Sequence, residues 1–297
     1  MLKNTLRHPL FMLVLFLILE GVVCSFMVWV IPQTMRLLGQ HTPPFVRDLR
    51  FEVDLAFGVF VAAVLVRRLG PWPRLADAFV DAQEIWHVAV GALGVLAVFC
   101  TIKLVVDHNG LHSFAPINHY FPVVFALLLA LCAAVVEECA YRGYVLPFLE
   151  QNYGTFTGVI GSALVFGGVH VFNGYPYTPF NCLLIALTNG LLFSAAFVLT
   201  RHLYLSIGLH WGYDIASFLL LGNIHFHPLY HLHSAQTILT LLNIADMYIG
   251  LLFLYLAYKR GRLRLSAKSE TVLRLLLSPG FLLPLQRNPQ RRKRKSL

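Results

Sequence analysis

Eight long apolar segments follow one another along this chain, with only short connections between them. They are Leu10–Ile31, Phe51–Val66, Ile85–Val106, Phe121–Tyr144, Thr157–Phe172, Asn181–Thr200, Leu203–Leu221 and Ala235–Tyr258. A bilayer-spanning helix needs about 20 apolar residues, whereas soluble proteins avoid exposing so much apolar surface to water. The chain is 58% hydrophobic and only 12% charged. The sequence therefore predicts an all-α, polytopic transmembrane helix bundle of about eight spans.

Positive charge is concentrated at the carboxyl-terminal end of the chain. The net charge is +9, and twelve of the 23 Lys and Arg residues lie at or after Lys259. Beside a membrane, such a basic run favours binding to anionic lipid over binding to nucleic acid. No internal repeat or low-complexity linker divides the rest of the chain. We therefore expect one transmembrane domain over residues 1–265, a basic cytoplasmic tail over 266–297, membrane lipid as a partner and no nucleic acid.

The distribution of basic residues also predicts the orientation. An even number of spans places both termini on one side, and the positive-inside rule puts basic connections in the cytoplasm. With both termini inside, the inner connections hold Arg67, Arg68, Arg74 and Arg201. The third, fifth and seventh connections then face outward and contain no Lys or Arg, whereas the first, also outward, carries three Arg residues. With that one exception, the pattern predicts an N-in, C-in protein.

Two groups of residues that bind metals in many proteins stand out: the five cysteines and a run of histidines in one connection. The cysteines lie inside apolar segments without CxxC spacing, and they are Cys24, Cys100, Cys132, Cys139 and Cys182. This setting predicts buried free thiols rather than a disulfide framework or a zinc knuckle. A histidine run in the seventh connection consists of His225, His227, His231 and His233. It is either a solvated loop or a site of adventitious metal binding.

The fourth apolar segment ends in a group of ionisable residues, which are costly inside a membrane and therefore indicate function. Glu138 and Arg142 are four residues apart, so they share a helix face and can form an ion pair. Glu137 is rotated by about 100° from Glu138 on a helix. It therefore points elsewhere, without a cation on its own helix, and is the better candidate for chemistry.

Two further segments carry polar residues at helical spacing. Phe166 and His170 are four residues apart in the fifth segment, next to a pair of glycines that lets a neighbouring helix come close. His210 and Asp214 are four residues apart in the seventh segment. Each motif alone is consistent with a structural hydrogen bond, but three such helices in one bundle predict a polar site in its core.

If the three faces converge, Glu137, His170, His210 and Asp214 line that core. Such a set suits hydrolysis, because a buried carboxylate or imidazole can take a proton from water. A second imidazole can stabilise the oxyanion that forms. Two His and two carboxylates can also hold a divalent metal such as Zn²⁺. The sequence leaves both the metal-free and the metal-assisted chemistry open.

The ordered motifs Glu-Glu-x-x-x-Arg, Phe-x-x-x-His and His-x-x-x-Asp resemble those of a known family. They occur at Glu137, Glu138 and Arg142, at Phe166 and His170, and at His210 and Asp214, all within residues 121–221. The family is the CAAX prenyl protease and bacteriocin-processing family (CPBP, also called ABI), whose members are intramembrane proteases. The resemblance leaves the first three segments and the basic tail uncovered.

The resemblance implies a role for each motif residue. Glu137 and His170 are implied to activate the attacking water, and His210 with the Asp214 position to stabilise the oxyanion. Glu138 and Arg142 are implied to form a structural ion pair, in agreement with their spacing. The prenyl protease branch has Asn where this chain has Asp214. An ionised carboxylate cannot donate a hydrogen bond, so Asp214 must be protonated, orient His210 or bind metal.

The resemblance therefore implies a CAAX-type intramembrane endopeptidase, described in its family as a metalloprotease. Candidate substrates are prenylated CAAX-like tails, leader peptides and transmembrane segments of other proteins. A transporter that uses the same residues to relay protons is an alternative, as is a non-catalytic membrane scaffold. An excess of Arg over Lys and the lack of long extensions favour a bacterial inner membrane. The oligomeric state is not predicted.

Overall fold

In the computed structural model of this chain, the described residues are 8–37, 44–79, 82–106, 120–173, 179–221 and 232–263. Nearly all of them lie in helices and none lies in a β-strand, so the all-α prediction is confirmed. Each predicted apolar segment coincides with one helix. The helices are α1 (Pro9–Leu37), α2 (Pro44–Arg67), α3 (Trp86–Val106), α4 (120–153), α5 (Thr155–Val169), α6 (Pro179–Thr200), α7 (Tyr204–Leu221) and α8 (Leu232–Lys259).

Helices α4 and α6 each contain a π-helical segment. In α4 the segment is Cys139–Val145, between Tyr120–Glu138 and Leu146–Tyr153, and in α6 it is Ala186–Gly190. Such segments are rare and are frequent at functional sites. A π segment adds one residue to a helical turn, so it changes which side chains share a face on its two sides.

Helix α7 lies at the centre of the bundle, because it packs against four other helices. Its most extensive contact is with α3, and it also contacts α4, α6 and α8. Around this centre, α1 packs on α2, α5 packs on α4 and α6, and α8 packs on α6. A single buried cluster that includes Phe16, Phe99, Phe148 and Phe193 joins these helices. The residues of α7 are thereby held in the interior.

Glycines allow α3 and α7 to approach each other closely. A Cβ atom on Gly208 would lie 2.2 Å from the backbone oxygen of Val88, and one on Gly212 would lie 2.7 Å from that of Ala92. Small residues at this four-residue spacing let membrane helices pack backbone to backbone. The contact holds the turn of α7 that includes His210.

We expect Gly208→Ala to destabilise the protein by about 1–3 kcal/mol, because the added methyl group must push α3 away. Gly94→Ala on α3 is the matched control, since nothing lies within 4 Å of a Cβ there and Ala is the better helix former. Thermal unfolding in detergent should show a lower midpoint for Gly208→Ala and an unchanged or higher one for Gly94→Ala. Equal midpoints would contradict the close packing of α3 and α7.

The second, fourth and sixth connections lie together at one end of the bundle. The Leu203 N–H donates to the Ala78 oxygen at 3.0 Å, which joins the α6–α7 turn to the α2–α3 connection. Arg201 Nη1 pairs with Glu150 Oε2 near the end of α4 at 2.9 Å. Arg201 Nη2 also donates to the Arg262 oxygen, just after α8, at 2.6 Å. This grouping is what a bundle of alternating up and down helices requires.

The surface and length of the helices are those of a membrane protein. Among the described residues, Ala82–Val106, Pro179–Thr200 and Thr237–Lys259 are long and apolar enough to cross a membrane. The outer surface also carries large apolar side chains, with Leu93 and Phe180 exposed by 65% and 68%. Lipid tails are the fitting surroundings for such a surface. The chain is an integral membrane protein, and the number of spans stays a prediction.

The prediction that the cysteines are buried is wrong for two of them. Cys182 is buried and Cys139 is partly buried, but Cys100 and Cys132 are exposed, and all four thiols are free. An apolar neighbourhood in the sequence does not imply burial in a membrane protein, because apolar side chains on the outer faces of helices contact lipid. Nothing is described of the Cys24 side chain.

Three other predictions fall on parts of the chain that lie outside the described residues. These are the basic tail over 266–297, the orientation of the termini and most of the histidine run. In that run, only the backbone of His233 is described, as part of α8; His225, His227 and His231 are not.

Candidate active site

The three motifs lie on α4, α5 and α7, and α4 contacts both of the other helices. The acidic motif extends from the first part of α4 into its π segment, and the histidine of the second motif begins a short 3-10 turn after α5. The residues they contribute are Glu137, Glu138 and Arg142 from α4, Phe166 from α5, His170 from the turn after it, and His210 and Asp214 from α7.

Arg142 is fully buried, and each of its nitrogens has a partner. Nη1 donates to Glu138 Oε1 at 2.8 Å, Nη2 donates to the Gly190 oxygen at 3.0 Å, and Nε donates to Ser194 Oγ at 3.4 Å. The Glu138 side chain is equally inaccessible. A buried ion pair is tolerated only when further hydrogen bonds satisfy both charges. The guanidinium meets that condition.

The two π segments meet at this arginine. Arg142 belongs to the π segment of α4, and its acceptor Gly190 ends the π segment of α6. A Cβ on Gly190 would lie 3.0 Å from the Ala163 backbone, so α5 also packs tightly here. The π segments of α4 and α6 therefore both lie next to the Glu138–Arg142 ion pair.

His210 is held between three carboxylates. Its Nδ1 donates to Glu138 Oε1 at 2.9 Å. Its Nε2 lies 3.9 Å from Glu137 Oε2 and 3.7 Å from Asp214 Oδ2. A hydrogen bond at one ring nitrogen fixes both the ring orientation and the role of the other nitrogen. Glu138 therefore directs Nε2 of His210 toward Glu137 and Asp214.

Phe166 lies at the centre of the aromatic packing around the site. Its ring centroid lies 5.6 Å from that of His210 and 5.0 Å from that of His170, both edge to face. The Arg142 guanidinium lies over the same ring at 4.5 Å, a cation–π contact. His170 Nδ1 lies 2.7 Å from the Phe166 backbone oxygen and donates to it. Phe166 thus connects both histidines and the buried ion pair.

We expect Phe166→Leu to lower both stability and activity, because it removes the ring on which Arg142 and both histidines pack. Truncation of a buried Phe to Ala lowers the free energy of unfolding by about 3–5 kcal/mol, and replacement by Leu lowers it somewhat less. Phe180→Leu, on the exposed outer face of α6, is the matched control. Thermal unfolding and peptide cleavage should distinguish the two variants. A Phe166→Leu protein that behaves like Phe180→Leu would show that the aromatic packing is unimportant.

The predicted metal ligands do not fit a zinc ion where they stand. Zn–ligand bonds of about 2.0–2.1 Å place the ligand atoms of a tetrahedral site about 3.3 Å apart. Within the described part of the chain, no three of Glu137, His170, His210 and Asp214 offer donor atoms that all lie within 4.8 Å of one another. The reaction steps derived below are therefore proton transfers and hydrogen bonds made directly by these side chains.

Glu137 has the geometry of a general base. Its Oε2 atom is buried and makes no hydrogen bond to the described residues, although a buried acceptor ordinarily has a partner. The oxygen is thus available to accept a proton from a small molecule beside His210 Nε2. A carboxylate and an imidazole next to each other in a closed site can perform acid–base chemistry.

One contact of the site is absent from the sequence interpretation. The motif spacing predicts only the ion pair for Glu138, but the same oxygen accepts from Arg142 and from His210. Seventy-two positions separate Glu138 from His210, so no local spacing reveals the contact. The signal for it is indirect: a carboxylate oxygen has more than one lone pair to share.

Comparison with known proteins bears on the same part of the chain. Residues 119–216, about a third of the chain, match the family described as Type II CAAX prenyl endopeptidase Rce1-like, and this range contains all the motif residues. No curated protein and no solved structure matches the chain. Over residues 119–216, the resemblance to the CPBP family is confirmed in its Rce1-like, type II CAAX prenyl endopeptidase branch.

Proposed function

We propose that this protein is a CAAX-type intramembrane endopeptidase, which hydrolyses a peptide bond in a membrane-associated peptide or protein. The observation that carries the proposal is the position of Glu137 Oε2, a buried oxygen that accepts no hydrogen bond from any described residue and lies 3.9 Å from His210 Nε2. These atoms lie within the segment that matches the prenyl endopeptidase family. A general base can activate the attacking water and an oriented imidazole can stabilise the oxyanion, and both contributions serve peptide hydrolysis.

In the first step, Glu137 takes a proton from a water molecule, and the water oxygen attacks the carbonyl carbon of the scissile bond. His170, which packs on the Phe166 ring, is assigned the role of helping to hold that water. The product of attack is a tetrahedral intermediate with negative charge on the former carbonyl oxygen. The site is partly withdrawn from water, with the Glu137 and Asp214 side chains 21% and 29% exposed, and exclusion of water strengthens the hydrogen bonds that guide this step.

His210 stabilises the oxyanion in the second step. Its Nδ1 is occupied by Glu138, so the protonated ring donates from Nε2 to the negative oxygen. Asp214 lies 3.7 Å from that same nitrogen and supports the ring from the other side; when protonated, it is itself a donor. The proton held by Glu137 then passes to the leaving nitrogen, and the carbon–nitrogen bond breaks.

The substrates we propose are prenylated CAAX-like tails, leader peptides and transmembrane segments of other proteins. Each has a lipid-associated part that a bundle with an apolar outer surface can receive from the bilayer. We propose an N-in, C-in protein of a bacterial inner membrane, in contact with lipid and without nucleic acid. The metalloprotease description of the family makes metal dependence the first property to measure.

A turnover assay tests the proposal. Purified protein in detergent is incubated with a fluorogenic peptide library that includes prenylated tails, with and without a chelator, and compared with His210→Ala. Cleavage by the wild type that His210→Ala loses supports the proposed site, and loss of cleavage with chelator establishes a metal requirement. An inactive but folded wild type would favour a transporter or a non-catalytic scaffold, because both keep the buried charges without turnover.

A further inference from the structure

A second group of potential metal ligands lies away from the active site, at the end of the bundle with the even-numbered connections. Glu84, His87 and His202 each offer one donor atom, and these atoms all lie within 4.8 Å of one another. Among the residues that the structure describes, this is the one group of three or more His, Cys, Asp or Glu with that property.

Two connections that are distant in sequence supply the three side chains. Glu84 lies in the 3-10 helix Ala82–Ile85, and His87 is the second residue of α3. Their side chains already meet, with Glu84 Oε2 2.8 Å from His87 Nδ1. His202 is buried in the α6–α7 turn, directly after Arg201, whose φ of 69° ends α6 in a left-handed conformation.

The backbone and the neighbouring rings hold this arrangement. The bond from Leu203 N–H to the Ala78 oxygen joins the two connections next to His202. The His87 and His202 rings lie 5.0 Å apart. Trp86 stacks on His87 at 4.0 Å. Ligand rings that their surroundings hold in place are typical of metal sites.

The chemistry of the three ligands suits zinc. Two imidazoles and one carboxylate form a common Zn²⁺ ligand set, which leaves one position of the tetrahedron open. Tetrahedral zinc needs ligand atoms about 3.3 Å apart, so Glu84 Oε2 and His87 Nδ1, now 2.8 Å apart, must separate slightly. Any wider pair in the group, at up to 4.8 Å, must close by about 1.5 Å or less. The Glu84 side chain is 36% exposed, so it has the freedom to make that movement.

A cavity gives an ion access to the group. It has a volume of about 570 Å³, and its lining includes both Glu84 and His202. Asp77, Glu150 and Thr200 add further oxygen atoms to the same wall. Both Glu150 oxygens accept from Arg201, so water or an oxygen of Asp77 or Thr200 is the candidate for the open position.

We propose that Glu84, His87 and His202 bind Zn²⁺ or a similar first-row divalent cation, and that the ion ties the α2–α3 connection to the α6–α7 turn. The site is independent of the catalytic proposal, because none of its ligands belongs to the three motifs. An ion that binds only the folded state stabilises the protein. The site would therefore stabilise the contact between the α2–α3 connection and the α6–α7 turn.

The test measures Zn²⁺ binding to the full chain in detergent. The parent protein carries His→Asn at His225, His227, His231 and His233, so that the histidine run contributes no binding. Equilibrium dialysis with elemental analysis should give one equivalent of Zn²⁺ per chain, and Zn²⁺ should raise the thermal midpoint. Loss of a residue that only supports a ligand weakens metal binding by about 10–100-fold, so His87→Ala or His202→Ala should weaken it by about 100-fold or more.

Two further variants keep the test decisive. Glu84→Gln changes a partly exposed side chain and is expected to fold, so its loss of Zn²⁺ affinity supports the site even if His202→Ala fails to fold. Glu137→Gln alters the active site and should bind Zn²⁺ like the parent. The proposal is overturned if the parent binds no Zn²⁺ at micromolar concentrations, if Glu84→Gln and His87→Ala keep the parent's affinity, or if Glu137→Gln loses it.

Discussion

Replacing Arg142 with Met should prevent the chain from folding stably. The substitution leaves Glu138 as a carboxylate with no accessible surface and no cation, and removes the hydrogen bonds to Gly190 and Ser194. Breaking a buried ion pair by removing one partner costs about 3–5 kcal/mol, a large part of the total stability of a domain. Gel filtration and thermal unfolding in detergent should show aggregated protein or a much lower unfolding midpoint.

Two controls separate the buried charge from a general loss of arginine. Arg201→Met removes an arginine that also pairs with a glutamate, but its side chain is 38% exposed, so the expected cost is about 0–1 kcal/mol. The double variant Arg142→Met with Glu138→Gln removes both buried charges and should recover much of the lost stability. If Arg142→Met is as stable as Arg201→Met, the buried pair does not hold the bundle together.

Changing Glu137 to Gln should abolish most of the peptidase activity that we propose and leave the fold intact. The amide keeps the shape of the side chain but cannot take a proton from water. Removing a general base lowers the rate by about 10²–10⁴-fold. Single-turnover cleavage of a peptide that the wild type hydrolyses measures the effect on the chemical step, and thermal unfolding checks the fold.

Glu150→Gln is the matched control, because Glu150 also lies on α4. Its partner is Arg201 at the end of the bundle, outside the three motifs, so its removal should leave the cleavage rate nearly unchanged. If Glu137→Gln lowers the cleavage rate by less than about tenfold, the loss is smaller than removal of a general base causes. The base would then have to be another residue of the site.

Hydropathy was sufficient to predict the helices, because each one overlaps an apolar run that it buries in lipid or protein, although α2 and α4 extend well beyond their runs. The pairing of Glu138 with Arg142 was also predictable, since a four-residue spacing places both side chains on one helix face. The sequence does not reveal that Arg142 lies in a π segment, because π turns depend on packing against the neighbouring helix rather than on local residue preference.

Contacts between distant segments were the least predictable part of the site. The bond from His210 to Glu138 depends on how α7 packs on α4. In the group proposed to bind zinc, Glu84 and His87 have a recognisable spacing, but His202 comes from a separate connection. The exposure of Cys100 and Cys132 shows a related limit: hydropathy does not distinguish a face toward lipid from a face toward protein.

The spacing of Glu138 and Arg142 also has a consequence for biogenesis. The insertion machinery receives α4 with four charged residues, Glu137, Glu138 and Arg142 within the helix and Glu150 near its end. A charged residue at the centre of a nascent helix costs about 2.5–3.5 kcal/mol on the insertion scale. Glu138 and Arg142 can neutralise each other as soon as one helical turn forms, before any other helix arrives. Glu137 gains its neighbour His210 only when α7 enters, so α4 completes its integration together with the later helices.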